Sequence, residues 1–149
     1  MEFNELIADF AKRHNVADLV TVDDAASLDI DGIIVTIVSK DDMLTLSAEI
    51  GEPPAEGNAA FSDLLLEANL QSGVCFAKAP GQGGPYFAVR RLALQLIDGV
   101  AFDSALEAFV NNAEAWRRLL ADFRPVAKAA AERAEGDRPS FGSNRFMQV

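Results

Sequence analysis

His14 and Cys75 are the only histidine and the only cysteine in the chain, and they are the side chains best suited to nucleophilic or acid–base work. A Cys–His pair needs its two members within hydrogen-bond reach of each other. Here they fall in different elements, and a lone cysteine in an alternating strand reads as a small buried hydrophobe. One histidine and one cysteine also fall short of the usual zinc ligand sets. Three acidic groupings, Asp23-Asp24, Asp29/Asp31 and Asp41-Asp42, invite a metal reading. Asp29-Ile30-Asp31-Gly32 begins like a calcium loop but lacks the further ligands and the distal glutamate. Turn chemistry explains all three groupings without an ion. Gly81-Gln82-Gly83-Gly84-Pro85 has the glycines of a phosphate cradle, yet no lysine follows and no helix opens after it, so it reads as a hairpin loop. Trp116-Arg117-Arg118 suggests base stacking, but Trp116 belongs to an apolar helical stripe and the arginines to its solvated side. No catalytic set, cofactor site or metal site emerges.

Bulk properties narrow the class further. The 149 residues are half hydrophobic and include ten Phe, enough for one domain with a substantial core. The 13 basic residues stand against 23 acidic ones, a formal charge of −10. Such a field repels nucleic acid and anionic membrane surfaces and attracts basic partners. With one cysteine no intrachain disulfide can form, as suits a reducing compartment. Met1-Glu2-Phe3-Asn4-Glu5 has neither the basic start nor the apolar run of a signal peptide, and no stretch is long and apolar enough to span a membrane. The expected location is the cytoplasm.

The elements that must position any site follow from periodicity. Phe3, Leu6, Ile7, Phe10 and Ala11 form one stripe of a first helix running from about Glu2 to His14. From Ser27 to Ile50 the pattern changes to three antiparallel strands. Asp31-Gly32 is a strong hairpin signal, and Lys40-Asp41-Asp42 turns the chain again. Ile33 to Val38, β-branched at nearly every position, reads as a strand covered on both faces. Leu44, Leu46, Ala48 and Ile50 share one face of the third strand. Gly51-Glu52-Pro53-Pro54 breaks the sheet. A second helix spans about Asn58 to Gln71, closed by Gly73 in a left-handed conformation. Two more strands follow, Val74 to Lys78 and Tyr86 to Leu92. Asp103 reads as the cap of the longest helix, whose stripe runs from Leu106 to Phe123 and stops or kinks at Pro125. The fold class is thus α+β, an antiparallel sheet with helices in the order α-β-β-β-α-β-β-α. Residues 1–135 form a single domain, and 136–149 form a flexible C-terminal tail.

This order of elements resembles the CesT-like (class I) type III secretion chaperones from Phe3 to about Phe123. Three stretches carry the likeness: Phe3-x-x-Leu6-Ile7-x-x-Phe10, Ile50-Gly51-x-Pro53, and Leu64-Leu65-Leu66-Glu67-Ala68-Asn69 followed by Gly73. The chain beyond Pro125 extends past where such chaperones commonly end. The resemblance implies a cytosolic homodimer that binds an extended N-terminal segment of a secreted effector protein, keeps it secretion-competent, and uses no nucleotide or other cofactor. It implies a dimer interface at Leu64, Leu65, Ala68, Asn69, Val74 and Phe76. It also implies partner binding on apolar patches near the first helix and the sheet, here Phe3, Leu6, Ile7, Phe10, Leu44 and Leu46. An unfolded segment loses entropy on binding, so its host must offer a large apolar surface or a free sheet edge. The same side chains also suit a plain core. Two other readings stand beside this one: a regulator or adaptor of the same fold outside secretion, and a small enzyme or ligand-binding protein with a polar pocket around His14 or Cys75.

Overall fold

The computed structural model describes residues 1–71, 73–81 and 83–124. The end of the expected domain from Pro125 to Glu135 and the expected tail from 136 onward lie outside the described residues.

Alternation along the strands sets the architecture. In β3 (Ile33–Lys40) the side chains of Ile33, Val35 and Ile37 are buried while Ile34, Thr36 and Val38 are exposed. This corrects the expectation of a strand covered on both faces. A β-branched run satisfies strand propensity wherever it lies, so it does not report how many faces are covered. In β4 (Met43–Gly51) Leu44, Leu46, Ala48 and Ile50 point the same way as the buried set of β3. Together with β1 (Val20–Val22), β2 (Ala25–Ile30), β5 (Cys75–Lys78) and β6 (Tyr86–Ala93) they make one antiparallel sheet in the order β1-β2-β3-β4-β6-β5. β1 is one strand more than expected. All three of its residues are exposed, so it carries no burial pattern to read.

Two-residue turns join the first four strands. Asp31 and Gly32 sit at φ 52° and 85°, and Asp41 and Asp42 at φ 51° and 59°. Left-handed backbone at both central positions is what a tight hairpin needs to match strand twist, and aspartate tolerates it better than most residues. The Asp29 carboxylate accepts a bond from the Gly32 N–H at 2.8 Å. Asp31, Asp41 and Asp42 are therefore turn residues, Asp23 has the same left-handed backbone at φ 49°, and Asp29 braces its hairpin from the end of β2.

Among the described residues three α-helices complete the fold: α1 (Phe3–His14), α2 (Asn58–Ala68) and α3 (Gly99–Asp122). α3 crosses β3 and β4, and α1 packs on α3. Their buried stripes and the sheet's inner face form one core, in which Phe61, Phe102 and Phe109 are completely enclosed. α3 starts earlier than expected. Its N-cap is Asp98, whose carboxylate accepts from the Ala101 N–H at 2.8 Å, which places Asp103 one turn inside. α2 closes on Asn69 in the right-handed conformation, and Gly73 has no positive φ.

Gly51 of the Ile50-Gly51-x-Pro53 stretch has a structural reason. It lies at a register shift between β4 and β6 with φ 137°, and a Cβ there would stand 2.9 Å from Leu120 Cδ2. Gly51→Ala is expected to lower unfolding stability by about 1–3 kcal/mol, since both strain and contact oppose it. Gly73→Ala, with open space and an ordinary φ, is expected to be near neutral. Urea titration of both variants checks the contrast.

Candidate functional site

The structure separates the two reactive side chains. Cys75 is exposed on β5, not buried as its pattern suggests. His14 ends α1, where its Nε2 lies 2.9 Å from Asp103 Oδ2. Arg13 completes that cluster, bonding Asp103 and Asp9 through its guanidinium and donating to the Gly99 carbonyl at 3.2 Å. Basic residues thus close the C-terminus of α1, complementing its dipole, and Asp98 caps the N-terminus of α3 with Asp103 one turn inside. Partial burial tends to raise the Asp103 pKa, but the bonds from Arg13 and His14 outweigh it and hold the carboxyl below its ordinary value of 3.8. The cluster reads as a clasp between two helices. Among the described residues no group of three or more His, Cys, Asp or Glu side chains is placed to hold a metal ion.

Three surfaces are left for a macromolecular partner. Between α1 and α3 lies a pocket of about 290 Å3, lined by apolar Phe10, Ile30, Leu106 and Val110 and by polar His14, Asp31, Asp103, Glu107 and Asn111. Leu66 of α2 and Leu70 just past its C-cap make a leucine ridge, exposed by 65 and 90%, while Leu64, exposed by 39%, lies on another side of the helix. The far face of the sheet shows Ile34 and Val38, with Val20 and Val22 exposed on the β1 edge.

The side chains suggested as partner contacts sit elsewhere. Phe3, Leu6, Ile7, Phe10, Leu44 and Leu46 are all buried within the single chain, and of these only Phe10 lines the pocket. Of the suggested dimer residues, Leu65, Val74 and Phe76 are buried, Ala68 and Asn69 are half-buried, and Leu64 is exposed. Phe76 packs on Trp116 at 4.8 Å between ring centroids, and Phe61 meets Trp116, Tyr86 and Phe123. Trp116 is core, as its stripe implies. Arg117 and Arg118 are exposed and bond the Gly32 carbonyl and Glu114. Leu66 and Leu70 were legible in principle: they stand four residues apart and off the Phe61-Leu65 stripe.

α2 is fastened to the sheet at both ends. The Tyr86 hydroxyl donates to Asn58 Oδ1 at 2.6 Å and shares a 2.7 Å bond with the Ser62 hydroxyl. At the other end the Asn69 carboxamide accepts from the Phe76 N–H at 2.7 Å and donates to the Phe76 carbonyl at 3.4 Å. These bonds fix the direction in which the leucine ridge faces.

A clasped, one-sided sheet with apolar outer surfaces has the makings of a protein-binding module. The chain belongs to the CesT family, the Tir chaperone proteins, whose sequence profile matches residues 5–117. It is accordingly a type III secretion chaperone, of a class that binds effectors. No curated protein matches the chain. Its fold is similar to that of a chain in the ExsC–ExsE complex, with 23% identity over 78% of this chain and 92% of that one and a TM-score of 0.67. It is also similar to a chain of the HopA1–SchA chaperone–effector complex, with 16% identity, coverage of 78% and 93%, and a TM-score of 0.65. YbjN, a putative transcription regulator from E. coli, shares the fold at 15% identity, with coverage of 79% and 91% and a TM-score of 0.62.

Two outcomes follow from this geometry. Replacing both Phe3 and Phe10 with serine should lower the melting temperature steeply, since each large-to-small core change costs about 3–5 kcal/mol; differential scanning calorimetry reads it. Asp103→Asn should flatten the acid limb of the stability curve. A carboxyl with a depressed folded pKa contributes stability above its unfolded pKa, lost as pH falls through the folded value. The wild type should therefore lose stability from about pH 4 downward more steeply than the variant, read from urea midpoints across that range.

Proposed function

We propose that this chain is a cytosolic homodimer that binds an extended segment near the N-terminus of a secreted effector, with no catalytic step and no nucleotide. The family match over residues 5–117 carries this reading. Two surfaces support it. The ridge of Leu66 and Leu70 is apolar area that a monomer leaves in water, where a second copy burying it would gain roughly 25 cal/mol per Å2. The pocket walled by Phe10, Ile30, Leu106 and Val110 offers an anchor site for an apolar side chain of the cargo, and the β1 edge offers unpaired backbone groups. Among the described residues no helix is long and apolar enough to cross a membrane. The overall charge of −10 favours basic cargo.

The second reading, a regulator or adaptor outside secretion, is favoured by one observation, the shared fold with YbjN. Deleting the gene separates the two. Loss of secretion of a protein that the chaperone pulls down supports the first, and unchanged secretion with altered transcript levels supports the second.

Sedimentation at micromolar concentration should give about twice the 16.0 kDa of one chain. Changing both Leu66 and Leu70 to aspartate should return the mass to one chain and leave the far-ultraviolet circular dichroism unaltered, because both side chains are exposed. A wild type sedimenting as a single chain would remove the dimer from this proposal.

A further inference from the structure

The two edges of the sheet are not equivalent. β5 is an outer strand, and its register pairs Cys75 with Val89, Phe76 with Ala88 and Ala77 with Phe87. Successive residues of an antiparallel strand turn their N–H and C=O alternately toward and away from the neighbour. The Ala79 N–H bonds the Pro85 carbonyl at 2.9 Å, which places the odd-numbered positions in the ladder with β6. Phe76 therefore aims both backbone groups outward, at the place a seventh strand would occupy. Asn69 is there instead. Its carboxamide accepts the Phe76 N–H at 2.7 Å and donates to the Phe76 carbonyl at 3.4 Å, as the peptide group of an added strand would do.

We infer that Asn69 is an edge cap: its amide stands in for the next strand on β5 and closes that edge of the sheet to pairing with another chain. An exposed edge is a template for strand addition, and proteins blunt it with short strands, lysines and covering helices. β5 has all three features, being four residues long, ending on exposed Lys78, and lying beside α2. Asn69 adds the one group that satisfies the central outward pair. The side of the molecule bearing α2 thus offers a partner side chains, chiefly the leucine ridge, rather than free backbone at Phe76. A strand-donating partner is excluded there. β1 has no such cap among the described residues.

Asn69→Ala tests this against Asn69→Asp, which keeps an acceptor for the Phe76 N–H. Amide exchange followed residue by residue in the wild type should show Phe76 protected and Lys78, which points outward as well, exchanging faster. In Asn69→Ala the Phe76 amide should exchange about tenfold faster or more, the loss of one hydrogen bond, while Asn69→Asp stays near the wild type. Sedimentation over rising concentration should show Asn69→Ala growing into species larger than the wild type, whichever oligomer the wild type forms. Equal exchange of Phe76 and Lys78 in the wild type would overturn the inference even if the alanine variant does not fold. An alanine variant with Phe76 deprotected but of wild-type size at every concentration would overturn it too.

Discussion

Covering one face of the sheet with α1 and α3 is the constraint that shapes the rest of the molecule. Phe102, Leu106, Phe109 and Ala113 share a core with Val35, Ile37, Leu44 and Leu46, so every inward position on β3 and β4 is committed to packing. Once that face is closed, outward positions are left to solvent or partner. Ile34 and Val38 are apolar and exposed for this reason, and no described element lies over them. The clasp of Arg13, His14, Asp103 and Gly99 sets α1 against α3, and with it the mouth of the pocket between them. Its ion pairs are largely exposed and of small energetic weight, so the clasp orients the helices more than it stabilises them.

α2 stands apart from this layer. It follows the proline break and lies along β5, with Phe61 and Leu65 inward and Leu66 and Leu70 outward. Its inward residues join the aromatic cluster of Trp116, Phe76, Tyr86 and Phe123, and polar bonds at each end hold its rotation. A helix free to roll would bury its leucines. Fixed as it is, it keeps them exposed.

The elements with their own local periodicity were legible in the chain. The α1 stripe, the Asp31-Gly32 and Asp41-Asp42 turns and the alternation of β4 each repeat within a few residues. What could not be read was which partner an apolar stripe meets. Phe3 and Phe10 look alike whether they face a core or a cargo, because burial belongs to the assembled fold. β1 has three residues and no buried position to mark it. Asp98 and Asp103 are both acidic residues near the start of α3, and only the position of the first helical turn decides which of them caps it. Asn69 gave no sign of its role, since its partner Phe76 lies across the turn that leads into β5. The chaperone family was legible from element order and from short motifs; the surfaces that make a chaperone work were not.

The placing of β6 between β4 and β5 bears on how the chain folds. β1 to β4 form a meander joined by tight turns, so each pairing closes a very short loop. β4 and β6, by contrast, must meet across the whole span that carries the proline break, α2 and β5. Among the strand pairings, loop-closure entropy is therefore concentrated in this one, and pairings of high sequence separation are the slow ones. Until β6 docks, α2 lacks Tyr86 to hold its first turn and β5 lacks its ladder. The leucine-bearing side proposed to meet another chain thus depends on the most distant of the strand pairings.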